Sequence, residues 1–300
     1  MQNSARSGLL LALAGFALLS VGDAVIKSMA GQWSPLAVGA LRFTFGAVGL
    51  SGLLMAQEGK GAFRPVTPWL QIARGLCLAF ASLLFFCAIF VMPLAEATAV
   101  AFLSPLLTAL LSGPMLGEKV RPQVWIASVV AFAGVSLILQ PNVAELGWAG
   151  LLPLASAVFF SLMMIANRAA AGQGSALSMQ VFVALTAAPV LALVAAGGHF
   201  SGTPLLQVGW PDWSIVLRCA LVAVSASTAH WLIYLGTTRA GAATIAPATY
   251  IQLLVASVMG WLLFGDRPGD DTLLGAAIII FAGLYLWRRG RNLQGGLRNR

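Results

Sequence analysis

Hydrophobic residues run along this chain in blocks of about 20, the length a helix needs to cross roughly 30 Å of hydrocarbon. Cutting the chain at its short polar or Pro/Gly breaks predicts spans at 8–30, 35–56, 69–91, 95–116, 122–140, 148–168, 178–198, 213–237, 242–264 and 272–288. The pattern is that of an all-α integral membrane protein with ten transmembrane helices. Loops between the runs are short, and the longest, 199–212, contains Gly and Pro. Arg6, the apolar run from Leu9 and Ser28-Met29-Ala30 loosely imitate a secretory signal, but Asp23 and Lys27 interrupt the run where a signal is clean. The first run is therefore expected to stay as a span.

The chain also resembles itself. Phe102 to Glu118 lines up with Tyr250 to Asp266, and each segment ends in Gly-acid-base: Gly117-Glu118-Lys119 and Gly265-Asp266-Arg267. The helices that follow share Phe132-Ala133-Gly134 and Phe281-Ala282-Gly283. Upstream, Ala97-Thr98 matches Ala243-Thr244, and more weakly Ser20 and Lys27 match Ser161 and Arg168. Five spans per repeat is an odd number, so the second copy must enter the membrane from the opposite face. The expected organisation is a first repeat over 1–145, an inverted second repeat over 146–290, and a basic tail over 291–300. Inverted halves can exchange conformations and open a midplane site to each face in turn.

Composition removes the soluble alternatives. The chain is 59% hydrophobic and 9% charged, with mean hydropathy +0.90, far from the roughly 25% charged residues of a soluble domain. A net charge of +8 would fit a nucleic-acid partner only if it formed a basic patch on a wet face. Instead the bases sit between and beyond the apolar runs, so no nucleic-acid partner is expected. With the N-terminus cytoplasmic, that face receives Arg6, Lys60, Arg64, Arg74, Lys119, Arg121, Arg168, Arg239, Arg288, Arg289, Arg291, Arg298 and Arg300, while the opposite loops keep Arg267 alone. This asymmetry predicts a multi-pass protein of the bacterial inner membrane with both termini cytoplasmic. Most tryptophans fall near span ends, where amphipathic rings favour the headgroup region; Trp231, well inside span eight, is the exception.

Catalytic and metal signatures are missing. Cys77, Cys87 and Cys219 lie in apolar runs without a CxxC pair, the two histidines are far apart, and no GxSxG or Walker sequence occurs. Neither enzyme chemistry nor a metal or cofactor is expected.

Several segments resemble the drug/metabolite transporter superfamily, specifically ten-helix permeases built from two EamA repeats. They are Arg74-Gly75, Pro93 to Ala99, Ser104-Pro105, Leu116-Gly117-Glu118, Ala246 to Tyr250, and Leu263 to Asp266. The resemblance covers nearly the whole chain. It implies transport of amino acids, other metabolites or drugs through a central cavity between spans one, three, four, six, eight and nine.

Three groups of residues are candidates for handling the solute. Asp23 and Lys27, four apart on one helical face, lie at a depth similar to Arg42; ionisable groups in lipid face a partner or an aqueous path. Two bases and one acid leave positive charge for a substrate carboxylate, the alternative being an Asp23–Arg42 pair with Lys27 snorkelling outward. Asp23 is also the one acid well inside a span and hence the candidate for proton coupling, although basic neighbours favour its ionised form. In span eight, His230, Trp231 and Tyr234 fall within about one turn and suit a cavity that stacks or hydrogen-bonds a solute. In spans four and nine, Pro105 and Pro247 are expected helix breaks, tolerated only against protein or a water-lined cavity. Thr98, Ser104, Thr244, Thr249, Tyr250 and Gln252 beside these breaks are candidate cavity lining, or ties between helices.

The reading is a secondary transporter for a small amphipathic metabolite, an amino acid or its derivative, exported by alternating access. The alternatives are a membrane scaffold without transport activity and, less favoured, an intramembrane enzyme. No motif encodes the coupling ion or the oligomeric state.

Overall fold

In hydrocarbon a backbone N–H or C=O has no water to turn to, so each apolar run satisfies its polar groups internally as a helix. The computed structural model describes residues 2–117, 122–240 and 246–298, and among these the regular elements are helices, with no strand. They are α1 (Gln2–Lys27), α2 (Pro35–Glu58), α3 (Pro68–Val91), α4 (Leu94–Ala101), α5 (Ser104–Leu116), α6 (Pro122–Leu146), α7 (Leu152–Ala169), α8 (Ala176–His199), α9 (Trp213–Ala240), α10 (Ile251–Phe264) and α11 (Asp270–Arg298). Among the described residues, eight helical stretches are long and apolar enough to span a membrane, one of them α4 and α5 taken together; Ala248–Phe264 is a shorter apolar helix.

Local chemistry sets the helix boundaries. Proline opens α2 and α3 at their first turns, where its missing N–H would be unsatisfied in any case. The Ser175 hydroxyl accepts a hydrogen bond from the Ser178 N–H at 3.0 Å and caps α8. The α4–α5 interruption falls at Phe102-Leu103, directly ahead of Ser104-Pro105. Pro247 stands within a short 3₁₀ turn, Ala246–Tyr250, that leads into α10. The two helices ending in the repeated glycine close alike: Gly117 and Gly265 are left-handed, each with φ 71°. That conformation suits glycine and finishes a helix by turning its N–H back onto the last carbonyls.

Packing is pairwise. α1 lies along α9, α3 along α7, α2 along α8 and α6 along α11. Further contacts join α3 to α8, α2 to α9, α5 to α7, α1 to α10, and α4 to α10. Two buried clusters result, a larger one rich in α2, α3, α8 and α9 and a second made largely from α4, α5, α6 and α11. Lipid is as apolar as leucine, so close backbone approach carries much of the attraction between such helices. A Cβ on Gly134 would come within 2.7 Å of the Gly275 carbonyl, and one on Gly236 within 2.7 Å of the Gly8 carbonyl. The small pair Ala256 and Gly260 behaves differently. Ala256 is buried, but what a Cβ on Gly260 would meet is Asp266, at an ordinary 3.7 Å, rather than a neighbouring helix.

Candidate functional site

Helices α1, α2 and α9 bring Asp23, Arg42 and His230 into one electrostatic neighbourhood: Arg42 interacts through space with Asp23 and with His230. Asp23 and Arg42 border a cavity of about 20 Å³ lined also by Leu19, Gly22, Val222, Ser225 and Ala226. Room for one water begins at roughly 10–15 Å³ on this measure, so the gap is water-sized. No ion pair within 4.0 Å joins the two side chains. The Arg42 guanidinium carbon lies 4.7 Å from the Phe43 ring centre and 5.4 Å from that of Phe86, distances at which a cation is attracted to a ring face. Its Nε is buried without a hydrogen-bond partner.

On α9 the side chains sort by face. Leu217, Leu221, Val224, Thr228 and Trp231 recur at helical spacing and are all exposed, Trp231 by 61%; this is an apolar outer stripe suited to lipid. Ala229 and Ile233 turn towards α1, where a Cβ on Gly15 would meet both. A third face carries Cys219, Ala223 and Ala226, all buried, and beyond them His230 and Tyr234, both exposed. His230 and Tyr234 therefore share a face that opens towards one end of the helix. Trp231 is turned about 100° from His230, onto the outer stripe.

Lys27 takes a partner other than the two expectations named. It neither snorkels outward nor turns back to Asp23. Its Nζ donates to Asp266 Oδ2 at 2.7 Å and to the Met92 carbonyl at 2.9 Å, with the Phe264 ring centre 5.2 Å away. The end of α1 is a hub. Arg218 donates to the Ser28 carbonyl at 3.0 Å and to Gln32 Oε1, and the Trp33 indole donates to the Gly209 carbonyl at 2.9 Å. Contacts from α3, α9, α10 and the 200–212 loop thus converge on residues 27–33.

Residues at the proline breaks mostly tie helices together. Thr98 is buried and donates to the Leu94 carbonyl at 2.7 Å; Ser104 is buried and Pro105 exposed. The Tyr250 ring stacks at 5.4 Å on Phe102, and its hydroxyl would collide with any side chain at Gly283. Gln252 contributes its backbone carbonyl, which accepts from the Ser20 hydroxyl at 2.9 Å and joins α1 to α10. Thr249 is half-buried and partnered. Thr244, like Glu118 and Lys119 of the first Gly-acid-base end, lies outside the described residues.

One buried polar cluster escapes the sequence reading. Arg74, counted above among the cytoplasmic bases, is 6% exposed inside α3. Its Nε donates to Asn167 Oδ1 at 2.5 Å, and its Nη1 to Gln71 Oε1 and to the Met179 carbonyl. The signal was present as Gln71 and Arg74, three apart and already inside the third apolar run. Among the described residues no group of three His, Cys, Asp or Glu side chains could hold a metal ion.

A family model described as EamA-like transporter family matches residues 6–140 and again 147–288. The chain belongs to the EamA-like transporter family. Curated relatives of this EamA-like protein include an S-adenosylmethionine uptake transporter of Rickettsia prowazekii, 26% identical over 89% of this chain and 87% of its own. A riboflavin transporter of Rhizobium johnstonii is 27% identical over 77% of this chain and 74% of its own, and a pseudopaline exporter of Pseudomonas aeruginosa 26% identical over 94% and 96%. A solved crystal structure shares the fold, with TM-score 0.64 and 23% identity over 94% of this chain and 97% of the other. The EamA-like chain is a multi-pass membrane transporter and not an enzyme.

Proposed function

We propose that this EamA-like protein is a secondary transporter that exports a small amphipathic metabolite, an amino acid or its derivative, across a bacterial inner membrane by alternating access. In this reading ten spans form two inverted repeats, 1–145 and 146–290, the last span is 272–288, and both termini are cytoplasmic. The observation that carries it is the exchange symmetry of the packing. Taking α1, α2, α3, α4 with α5, and α6 as the first set and α7, α8, α9, α10 and α11 as the second, swapping the sets turns the α1–α9 contact into α7–α3. The same swap turns α2–α9 into α8–α3 and α1–α10 into α7–α5, and leaves α2–α8, α4–α10 and α6–α11 as they are. Such an arrangement supports two interchangeable states.

The hub at Lys27 supports closure at the end where α1 terminates. Under the sequence match its counterparts in the other half are Arg168 and Glu118, which would close the opposite face in the other state. His230 and Tyr234 are the candidate entry surface, and Asp23 with Arg42 the midplane charges. The solutes named for the relatives, S-adenosylmethionine, riboflavin and pseudopaline, support a metabolite with both apolar and polar parts.

The test is flux in proteoliposomes holding the purified protein. A metabolite panel containing S-adenosylmethionine, riboflavin and common amino acids is screened by thermal shift, and the hits are followed by counterflow. Saturable counterflow of at least one solute is expected. Binding without movement of any solute would replace the carrier with the scaffold reading.

A further inference from the structure

Resting on the transport reading, the Asp23–Arg42 geometry carries a statement about substrate class. Opposite charges inside a membrane normally close on each other, because separation leaves each poorly solvated. Here they do not. A water-sized cavity stands between them, no ion pair within 4.0 Å forms, and Arg42 keeps a buried Nε without a partner. Lys27, one turn from Asp23 and long enough to neutralise it, is drawn instead to Asp266 and the Met92 carbonyl. The remaining base in this neighbourhood is His230, and the nearest hydroxyl, on Ser225, donates to the Val222 carbonyl at 3.1 Å. The cavity thus holds one acceptor-only group and one donor-only group facing each other across about the width of a small polar head.

We propose that this gap is a binding site for a dipolar headgroup, the α-ammonium and α-carboxylate of an amino-acid-like solute. The carboxylate docks on the Arg42 guanidinium, which offers a two-pronged donor edge through Nε. The ammonium docks on Asp23. Phe43 and Phe86 hold the guanidinium plane from behind, fixing the fork's direction without consuming its N–H groups. The apolar body of the solute extends along the α9 face that carries His230 and Tyr234. A simple carboxylic acid would leave Asp23 facing a carboxylate, and a simple amine would leave Arg42 without an anion; both are rejected by the group left unpaired.

Two matched sets test this on the full-length purified protein: L-phenylalanine, 3-phenylpropionate and 2-phenylethylamine, and the corresponding zwitterion, acid and amine on the methionine skeleton. In wild type the zwitterion of a set should bind at least about tenfold tighter than either singly charged partner, since a hydrogen bond to a charged group contributes about 1.5–3 kcal/mol. Asp23→Asn should erase the preference over the acid, and Arg42→Gln the preference over the amine, while each variant elutes from gel filtration as wild type does. Arg42→Lys, which keeps the cation and loses the fork, should retain part of the preference and guards against a folding artefact. Singly charged partners that bind as tightly as the zwitterion would overturn the proposal. So would variants that keep the wild-type preference, or flux of some other solute with no zwitterion bound. Zwitterion binding without flux of any solute supports the site and overturns the carrier reading instead.

Discussion

Removing the cation at the hub should loosen one end of the molecule. Lys27 Nζ sits 2.7 Å from Asp266 Oδ2, the two side chains being 11% and 23% exposed. At an effective dielectric near 20 the gross attraction is about 6 kcal/mol. Desolvation and partial exposure remove much of this: exposed pairs contribute about 0–1 kcal/mol, whereas breaking a fully buried one costs about 3–5. For Lys27→Met a net loss of about 2 kcal/mol follows, with the hydrogen bond to the Met92 carbonyl lost as well. That corresponds to roughly a 30-fold shift in the equilibrium between closed and open arrangements at the end of α1. The readout is a cysteine at Ser225, which lines the midplane cavity, in a background lacking Cys77, Cys87 and Cys219. An impermeant thiol reagent added on the face where α1 ends should modify it about 30-fold faster in Lys27→Met than in the parent. The double variant Lys27→Met/Asp266→Asn should be no faster than the single, because the orphaned carboxylate is gone. Unchanged labelling, or effects of the two substitutions that simply add, would refute the latch.

Three other outcomes follow from the packing. Gly275→Val should lower the melting temperature, because its Cβ would meet the Gly134 carbonyl at 2.5 Å and overpacking costs about 1–3 kcal/mol; Gly46→Ala, with nothing within 4 Å, is the neutral control. Arg74→Met should destabilise by about 1–3 kcal/mol by leaving the Asn167 and Gln71 carbonyl oxygens without a donor, and thermal unfolding of Arg74→Met, Asn167→Ala and the double variant should show coupling. Tyr234→Ala should raise KM for the transported solute, whereas Trp231→Leu should stay within about twofold of wild type in flux, as befits a residue on the outer stripe.

The contrast between Trp231 and Tyr234 shows where sequence reading stops. Both stood out as polar-tipped rings in one apolar run, and periodicity alone put His230 and Tyr234 on a shared face. Which face looks at lipid and which at the interior depends on where α1 and α2 lie against α9, and that is absent from any local pattern. Arg74 is a similar case. A base near a helix end looks like a topological marker until Asn167, 93 residues away, is seen to accept its N–H.

Membrane character, the apolar runs and the repeated Gly-acid-base ends were legible because they rest on local rules: hydrocarbon thickness, backbone self-satisfaction and the left-handed glycine that ends a helix. The partner of Lys27 was not. Spacing of four placed it beside Asp23, but a lysine on a flexible stem reaches whichever acceptor best solvates it, and Asp266 lies 239 residues away. Only the packing of α1 against α10 could bring that carboxylate within reach, and by taking Lys27 away it leaves Asp23 and Arg42 facing each other across the cavity.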